Sequence, residues 1–184
     1  LPDGNGSVYV ATYAGLFHGR DGSYEQVASV GERPITAMCM EADGSLLVGL
    51  EGGLGRLRSG VFADDVAKAP AGLGIVRALQ RIGDEIWLGC GKGLFVVRDA
   101  HLEPLPLHPL LDRFVQRIVP GEAGEVWVAS TNGCVRLSPD RQILGVWRSG
   151  VELPAGEIRA ILPQPSGRTW IGIYGGGLVA IETR

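Results

Sequence analysis

Residues 124–133 read Gly-Glu-Val-Trp-Val-Ala-Ser-Thr-Asn-Gly, and this stretch decides the fold. Three apolar residues, Val126, Trp127 and Val128, follow one another without alternation. A strand reads that way when both of its faces are buried, as when one sheet packs between two others. Glycines flank the run at both ends, where the chain must reverse direction.

Moving outward, the same stretch recurs. GSVYVATYAGLF starts at Gly6, GSLLVGLEGGLGRL at Gly44, DEIWLGCGKGLFVV at Asp84 and GRTWIGIYGGGLVAI at Gly167. The large central residue is Tyr9, Leu47, Trp87, Trp127 and Trp170, spaced by 38, 40, 40 and 43 residues. The following glycine is Gly15, Gly53, Gly93, Gly133 and Gly177, spaced by 38, 40, 40 and 44. Two independent markers keep one period, so the chain is a repeat array.

Each repeat holds more than this one strand. An apolar element precedes it: ITAMCM from Ile35, VRALQR from Val76, VQRIVP from Val115 and IRAILP from Ile158. A third follows the glycine, such as LFVV at Leu94. A fourth comes after a polar turn: YEQVAS from Tyr24, VFADDV from Val61, LEPLPL from Leu102 and QILGVW from Gln142. Four short strands per roughly 40 residues is the pattern of a β-propeller blade. The fourth strand carries Asp64, Asp65, Pro104 and Pro106, residues that blunt a sheet edge. Asp64 and Asp65 read as a solvated pair, because adjacent strand residues point to opposite faces. Residues 109–114 read as a loop with one helical turn.

The expectation is an all-β chain of about five four-stranded blades, near 1–31, 32–72, 73–110, 111–154 and 155–184. Leu1–Pro2 aligns with the end of an innermost strand and Ile181 closes a third strand, so the first and last blades read as incomplete. That suggests an excerpt of a longer array, or an assembly of several copies.

Composition agrees. Glycine makes up 29 of the 184 residues and proline 11, yet 45% of the chain is hydrophobic, the mixture that short strands and glycine turns produce. With 17 basic and 20 acidic residues, net charge −3, the chain lacks the basic excess of a nucleic-acid-binding protein. No apolar run approaches the ~20 residues of a membrane span, and no leader is read at the N-terminus; a segment for export or anchoring would lie outside these residues. Cys39, Cys90 and Cys134 show no metal or redox spacing and read as small buried thiols.

The repeat resembles the two-component regulator propeller repeat, in which an apolar strand and an Asp/Gly turn precede a leucine–tryptophan–isoleucine–glycine–threonine run and a Gly-Gly-Leu. The stretches 44–54 and 167–178 match well, and the blade at Trp87 matches through Gly93–Leu94. The blade at Trp127 departs at Cys134, and that at Tyr9 lacks tryptophan. The resemblance implies the periplasmic sensor region of a signalling receptor, with a carbohydrate or other small ligand and no cofactor. A protein-interaction or dimerisation scaffold is the alternative, built on a homodimer or on further blades of the same protein. A streptogramin-lyase-like enzyme is the minor alternative.

Gly89-Cys-Gly-Lys-Gly93 lacks the full phosphate-loop pattern and a following helix, so it reads as a strand turn. His18, His101 and His108 fall in different parts of different blades, and neither a metal site nor an acid/base pair is expected. Fold analogy puts the turns between second and third strands on the ligand-binding rim, which makes Tyr13, Glu51, Lys92, Asn132 and Tyr174 ligand-binding candidates. The second residue of each innermost strand, Thr36, Arg77, Gln116 and Arg159, is polar among apolar neighbours and is expected to line a central channel. Arg77 and Arg159 join the ligand-binding candidates on that ground.

Overall fold

The structure is a computed structural model that describes residues 1–64, 66–67 and 69–182. Asp65 therefore lies outside the described residues. Eighteen strands form five antiparallel sheets, each built from consecutive strands. The first contains β1 (Val8–Thr12), β2 (Gly15–Arg20) and β3 (Ser23–Gln26). The second contains β4 (Ala37–Met40), β5 (Leu46–Gly49), β6 (Leu54–Arg58) and β7 (Val61–Ala63). The third contains β8 (Val76–Ile82), β9 (Glu85–Cys90), β10 (Gly93–Arg98) and β11 (His101–Pro104). The fourth contains β12 (Val115–Pro120), β13 (Val126–Ser130), β14 (Gly133–Leu137) and β15 (Ile143–Arg148). The fifth contains β16 (Glu157–Pro163), β17 (Arg168–Tyr174) and β18 (Gly177–Glu182). The meandering order is that of propeller blades. Leu1 exchanges two backbone hydrogen bonds with Tyr9, at 2.8 and 2.9 Å, so it sits beside β1 where an innermost strand would end.

Among the described residues there is no α-helix. Pro109–Leu111 makes one 3-10 turn, begun by the His108 side chain accepting a hydrogen bond from the Leu110 N–H at 3.1 Å. That is the single helical turn expected before the fourth blade.

The consecutive apolar residues pack as their pattern requires. On β13, Val126 and Val128 join a core with Trp87 and Leu94 of the third blade and Ile118 of their own. Trp127 and Ala129, on the other face, join Ile158, Ile171 and Ile173 of the fifth. On β5, Leu46 and Val48 pack with Leu16, and Leu47 with Leu79 and Leu88. Each fully buried Val or Leu side chain contributes about 1.5–3 kcal/mol, so the interfaces between successive sheets hold the array together. All three cysteines are buried and free, and burial pushes the Cys134 thiol up to about 12.

The periodic glycine has a specific task in the interior blades. At Gly133, φ is +148° and an added Cβ would lie 2.3 Å from the Trp147 carbonyl oxygen. The tight turn into β14 thus runs against the fourth strand of its own blade. The periodic aromatic is also covered. Arg136 is held by Glu125 through bonds of 2.7 and 2.8 Å and lies over the Trp127 ring. In the first blade His18 bonds Asp3 at 3.0 Å and stacks on Tyr9. These ion pairs cluster where the first strand turns into the second, at the end of each blade away from the site described next.

Candidate functional site

Three of the innermost strands share one irregularity. In β8 the register with β9 slips between Val76 and Ala78, in β12 with β13 between Val115 and Arg117, and in β16 with β17 between Ile158 and Ala160. The residue left out of register is Arg77, Gln116 or Arg159. A β-bulge redirects the side chain at its extra residue and commonly stands beside a site. Here all three bulge side chains turn toward one cavity of about 300 Å³.

Every blade contributes to that cavity. Ala11, Thr12 and Tyr13 come from the first, Ile35 and Thr36 from the second, and Ile75 with Arg77 from the third. Gln116 and Arg117 come from the fourth and Arg159 from the fifth. Thr36 ties two blades at the wall: its hydroxyl lies 2.5 Å from the Val76 carbonyl oxygen, while its N–H bonds Gly49 at 3.0 Å. A second cavity of about 410 Å³ shares Arg77, Gln116 and Arg159 and adds Phe114, Thr131 and Glu157. Together the two make one polar mouth.

The mouth's polar groups are incompletely engaged by the protein itself. Gln116 is 5% exposed as a residue, and its side-chain amide bonds no other described residue; as no buried side-chain nitrogen or oxygen is left unpaired among the described residues, the amide opens to the cavity. Arg117 donates to the carbonyl oxygens of Arg159 at 2.9 Å and Gln116 at 2.7 Å. Arg159 pairs with Glu157 at 2.5 Å and lies over the Tyr174 ring, 5.6 Å from its centroid. Desolvation, with Arg159 and Arg77 close by, lowers the pKa of Arg117. Two aromatic faces flank this charge: Tyr13 is 85% exposed and Phe114 is 48% exposed. Phe114 holds φ at +50°, a conformation costly to a bulky residue.

The sequence-derived candidates separate in space. Tyr13, Arg77 and Arg159 line the cavity, with Thr36 and Gln116 beside them, and Tyr174 reaches it through Arg159. The structure does not bring Glu51, Lys92 or Asn132 there. Glu51 lines an outlying hollow with Arg33, Pro34 and Asp64. Lys92 lines another with Asp112 and Arg113, and its ammonium group donates to the Ala71 carbonyl oxygen. Asn132 is a turn residue whose N–H bonds the Ser130 hydroxyl at 3.2 Å. Of the equivalent turn positions, Tyr13 alone lines the cavity itself, so equivalence along the repeat does not place residues at one mouth.

Sequence reasoning missed Arg117 and Phe114. A strand without bulges would aim Arg117 away from Gln116. The signal was present, because the residue equivalent to Arg117 is alanine in the blades on either side, Ala78 and Ala160. The histidines stay apart: His101 has its Nδ1 2.8 Å from the Asp99 carbonyl oxygen, and His108 caps the 3-10 turn.

The fold and its mouth define a β-propeller, and comparison with known structures bears this out. No family model and no curated protein matches the sequence. The extracellular domain assigned to the hybrid two component system BT3049 of B. thetaiotaomicron superposes with a TM-score of 0.77 at 22% identity. That match covers 96% of this chain and 25% of the other. The WD40 β-propeller domain of Doa1 superposes at 0.70 with 12% identity over 97% of this chain and 62% of the other. A protein designated a gluconolactonase superposes at 0.64 with 14% identity over 97% and 71%. At these identities the likeness is one of fold. The chain spans about a quarter of the length of the BT3049 domain.

Proposed function

We propose that the chain is a non-catalytic, ligand-sensing extracytoplasmic propeller region of a two-component signalling receptor, and that its ligand enters the mouth between the innermost strands. The observation that carries this is the convergence of all five blades on one cavity lined by Arg77, Gln116, Arg117 and Arg159. Exposed aromatic faces beside polar donors suit the flat apolar faces and hydroxyls of a sugar ring. Glu157, the carboxylate at the mouth, is tied to Arg159, which argues against acid/base work. The repeat resemblance and the fold shared with an extracellular two-component domain support the same reading and an extracytoplasmic location.

The test is a panel of oligosaccharides measured by thermal shift and calorimetry against the chain and its Tyr13→Ala and Phe114→Ala variants. A binder that raises Tm in the parent, and loses at least about tenfold in affinity in either variant, supports the reading. A panel without binders, or binding that ignores both substitutions, overturns the mouth as a carbohydrate sensor.

One observation favours the scaffold reading. Leu178 is 68% and Leu162 58% exposed on the outer face of the fifth blade, beside the half-buried Trp170. A second copy or a further blade would cover such a face. Sedimentation of the chain and of Leu178→Glu distinguishes them, because self-association through this face is lost in the variant.

A further inference from the structure

The mouth has a charge character that the sensor reading alone does not specify. Elsewhere among the described residues many arginines face carboxylates, as Arg33 with Asp64, Arg56 with Glu41, Arg98 with Glu85 and Arg136 with Glu125, and those that do not, such as Arg20, stand apart from one another. The mouth instead gathers three arginines, Arg77, Arg117 and Arg159, in one place. Arg77 has no hydrogen-bond or ion-pair partner among the described residues. Among the described residues Arg117 meets only backbone carbonyl oxygens, and the single described carboxylate lining the two cavities, Glu157, is taken by Arg159. The chain as a whole is acidic, at −3, so this cluster does not reflect a general basic surface.

Guanidinium groups brought together without counter-charge repel one another, and partial burial strengthens the repulsion. The bulges at Arg77 and Arg159 nevertheless turn these side chains inward, and Arg117 is an arginine where the flanking blades carry alanine. Arginine is the side chain best suited to hold a planar oxyanion by paired N–H donors. The Gln116 amide, which lines the same cavities, adds a neutral donor beside them.

We propose that the mouth is an anion site, taking a small molecule whose carboxylate or sulfate group sits among Arg77, Arg117 and Arg159 while its apolar face rests on Tyr13 or Phe114. This deepens the sensor reading and rests on its placement of the ligand. It makes the preferred ligand acidic rather than neutral.

The experiment is calorimetry at low ionic strength with three probes: galacturonate, galactose and inorganic sulfate. Proteins are the chain and its Arg77→Gln, Arg117→Gln and Arg159→Gln variants, with Arg20→Gln, at the exposed end of β2, as control. The expected result is galacturonate binding at least about tenfold tighter than galactose, competition by sulfate, and a loss of about tenfold or more in each mouth variant. Affinity should also fall steeply with added salt. Because Arg77 has no partner to lose, Arg77→Gln should unfold at the same or a higher temperature than the parent when no anion is present, which separates loss of binding from loss of fold. Galactose binding as tightly as galacturonate, with the arginine variants unchanged, overturns the anion site and leaves the mouth as a sugar site. Galacturonate binding that all three variants retain overturns it as well. If neither galacturonate nor sulfate binds, the inference is overturned, and the neutral oligosaccharide panel decides the sensor reading separately.

Discussion

The fourth and fifth blades carry nearly the same repeat and fold differently into their surroundings. In β13 every residue from Val126 to Ser130 is buried, whereas in β17 burial alternates. There Thr169, Ile171 and Ile173 face the fourth blade, and Arg168, Trp170 and Tyr174 face away from it. The sequences VWVAS and TWIGI differ little in apolar content, so the difference comes from neighbours. A strand with a sheet on each side buries both faces, and one with a sheet on one side buries half. In a repeat array stability belongs largely to interfaces between units, and the two blades should therefore respond unequally to the same change.

The largest expected contrast is at the tryptophans. Trp127 is 1% exposed and stacks on Trp147 with centroids 5.0 Å apart. Trp127→Ala should lower unfolding stability by about 3–5 kcal/mol. Trp170→Ala should cost about 1–2 kcal/mol, since its ring already meets solvent on one side. Urea midpoints at unchanged slope measure both. Equal losses would break the comparison and show that the outer face of the fifth blade is covered in solution.

A smaller contrast lies at the periodic glycines. Ala at Gly133 would meet the Trp147 carbonyl oxygen as well as a disfavoured φ, so Gly133→Ala should cost about 2–4 kcal/mol. At Gly177, φ is +80° and nothing lies within 4 Å of an added Cβ. Gly177→Ala should cost only the backbone strain, about 1 kcal/mol. Thermal unfolding of the two variants side by side sharpens the point, because a common sequence marker then has two energetic values set by whether, among the described residues, a fourth strand lies against it.

The same contrast explains what could be read from the sequence. The period, the blade order, the apolar runs such as Val126–Val128 and the 3-10 turn near Pro109 were all legible, because each depends on local pattern. Channel-lining positions were legible where the signal was a polar residue amid apolar neighbours, as at Arg77, Gln116 and Arg159. Glu51, Lys92 and Asn132 were grouped with Tyr13 by alignment alone, and turn geometry sends them elsewhere. Arg117 needed knowledge of a bulge, which is a property of pairing between strands; its one mark in the sequence is an arginine where the flanking blades carry Ala78 and Ala160. The arginine over Trp127 was equally invisible, since Glu125, Trp127 and Arg136 meet only once β13 and β14 are in register.

Acid titration tests the comparison at its weakest interactions. Glu41, in the interior second blade, is pushed up by burial, but hydrogen bonds from Arg56 and Ser45 outweigh this and lower its pKa. Glu152, in the connection between the fourth and fifth blades, is lowered to about 2 by its bonds to Arg148. In both cases the unfolded chain takes up the proton first as pH falls. The stabilisation is therefore present above the ordinary value of 4.5 and is lost as pH drops through the folded values. Glu41→Gln should then be less stable than the parent at pH 7, with the deficit closing below pH 4.5. Salt separates the two sites, since at about 1 M the screening length is near 3 Å and exposed pairs are largely silenced. The Glu152 side chain is 34% exposed and its Arg148 partner 56%, against 15% for Glu41 and 34% for Arg56. Glu152→Gln should be nearly neutral in high salt, while the Glu41→Gln deficit persists. If salt erased both deficits alike, the interior blades would hold their ion pairs no more firmly than the periphery does, and burial between sheets would carry the whole difference between them.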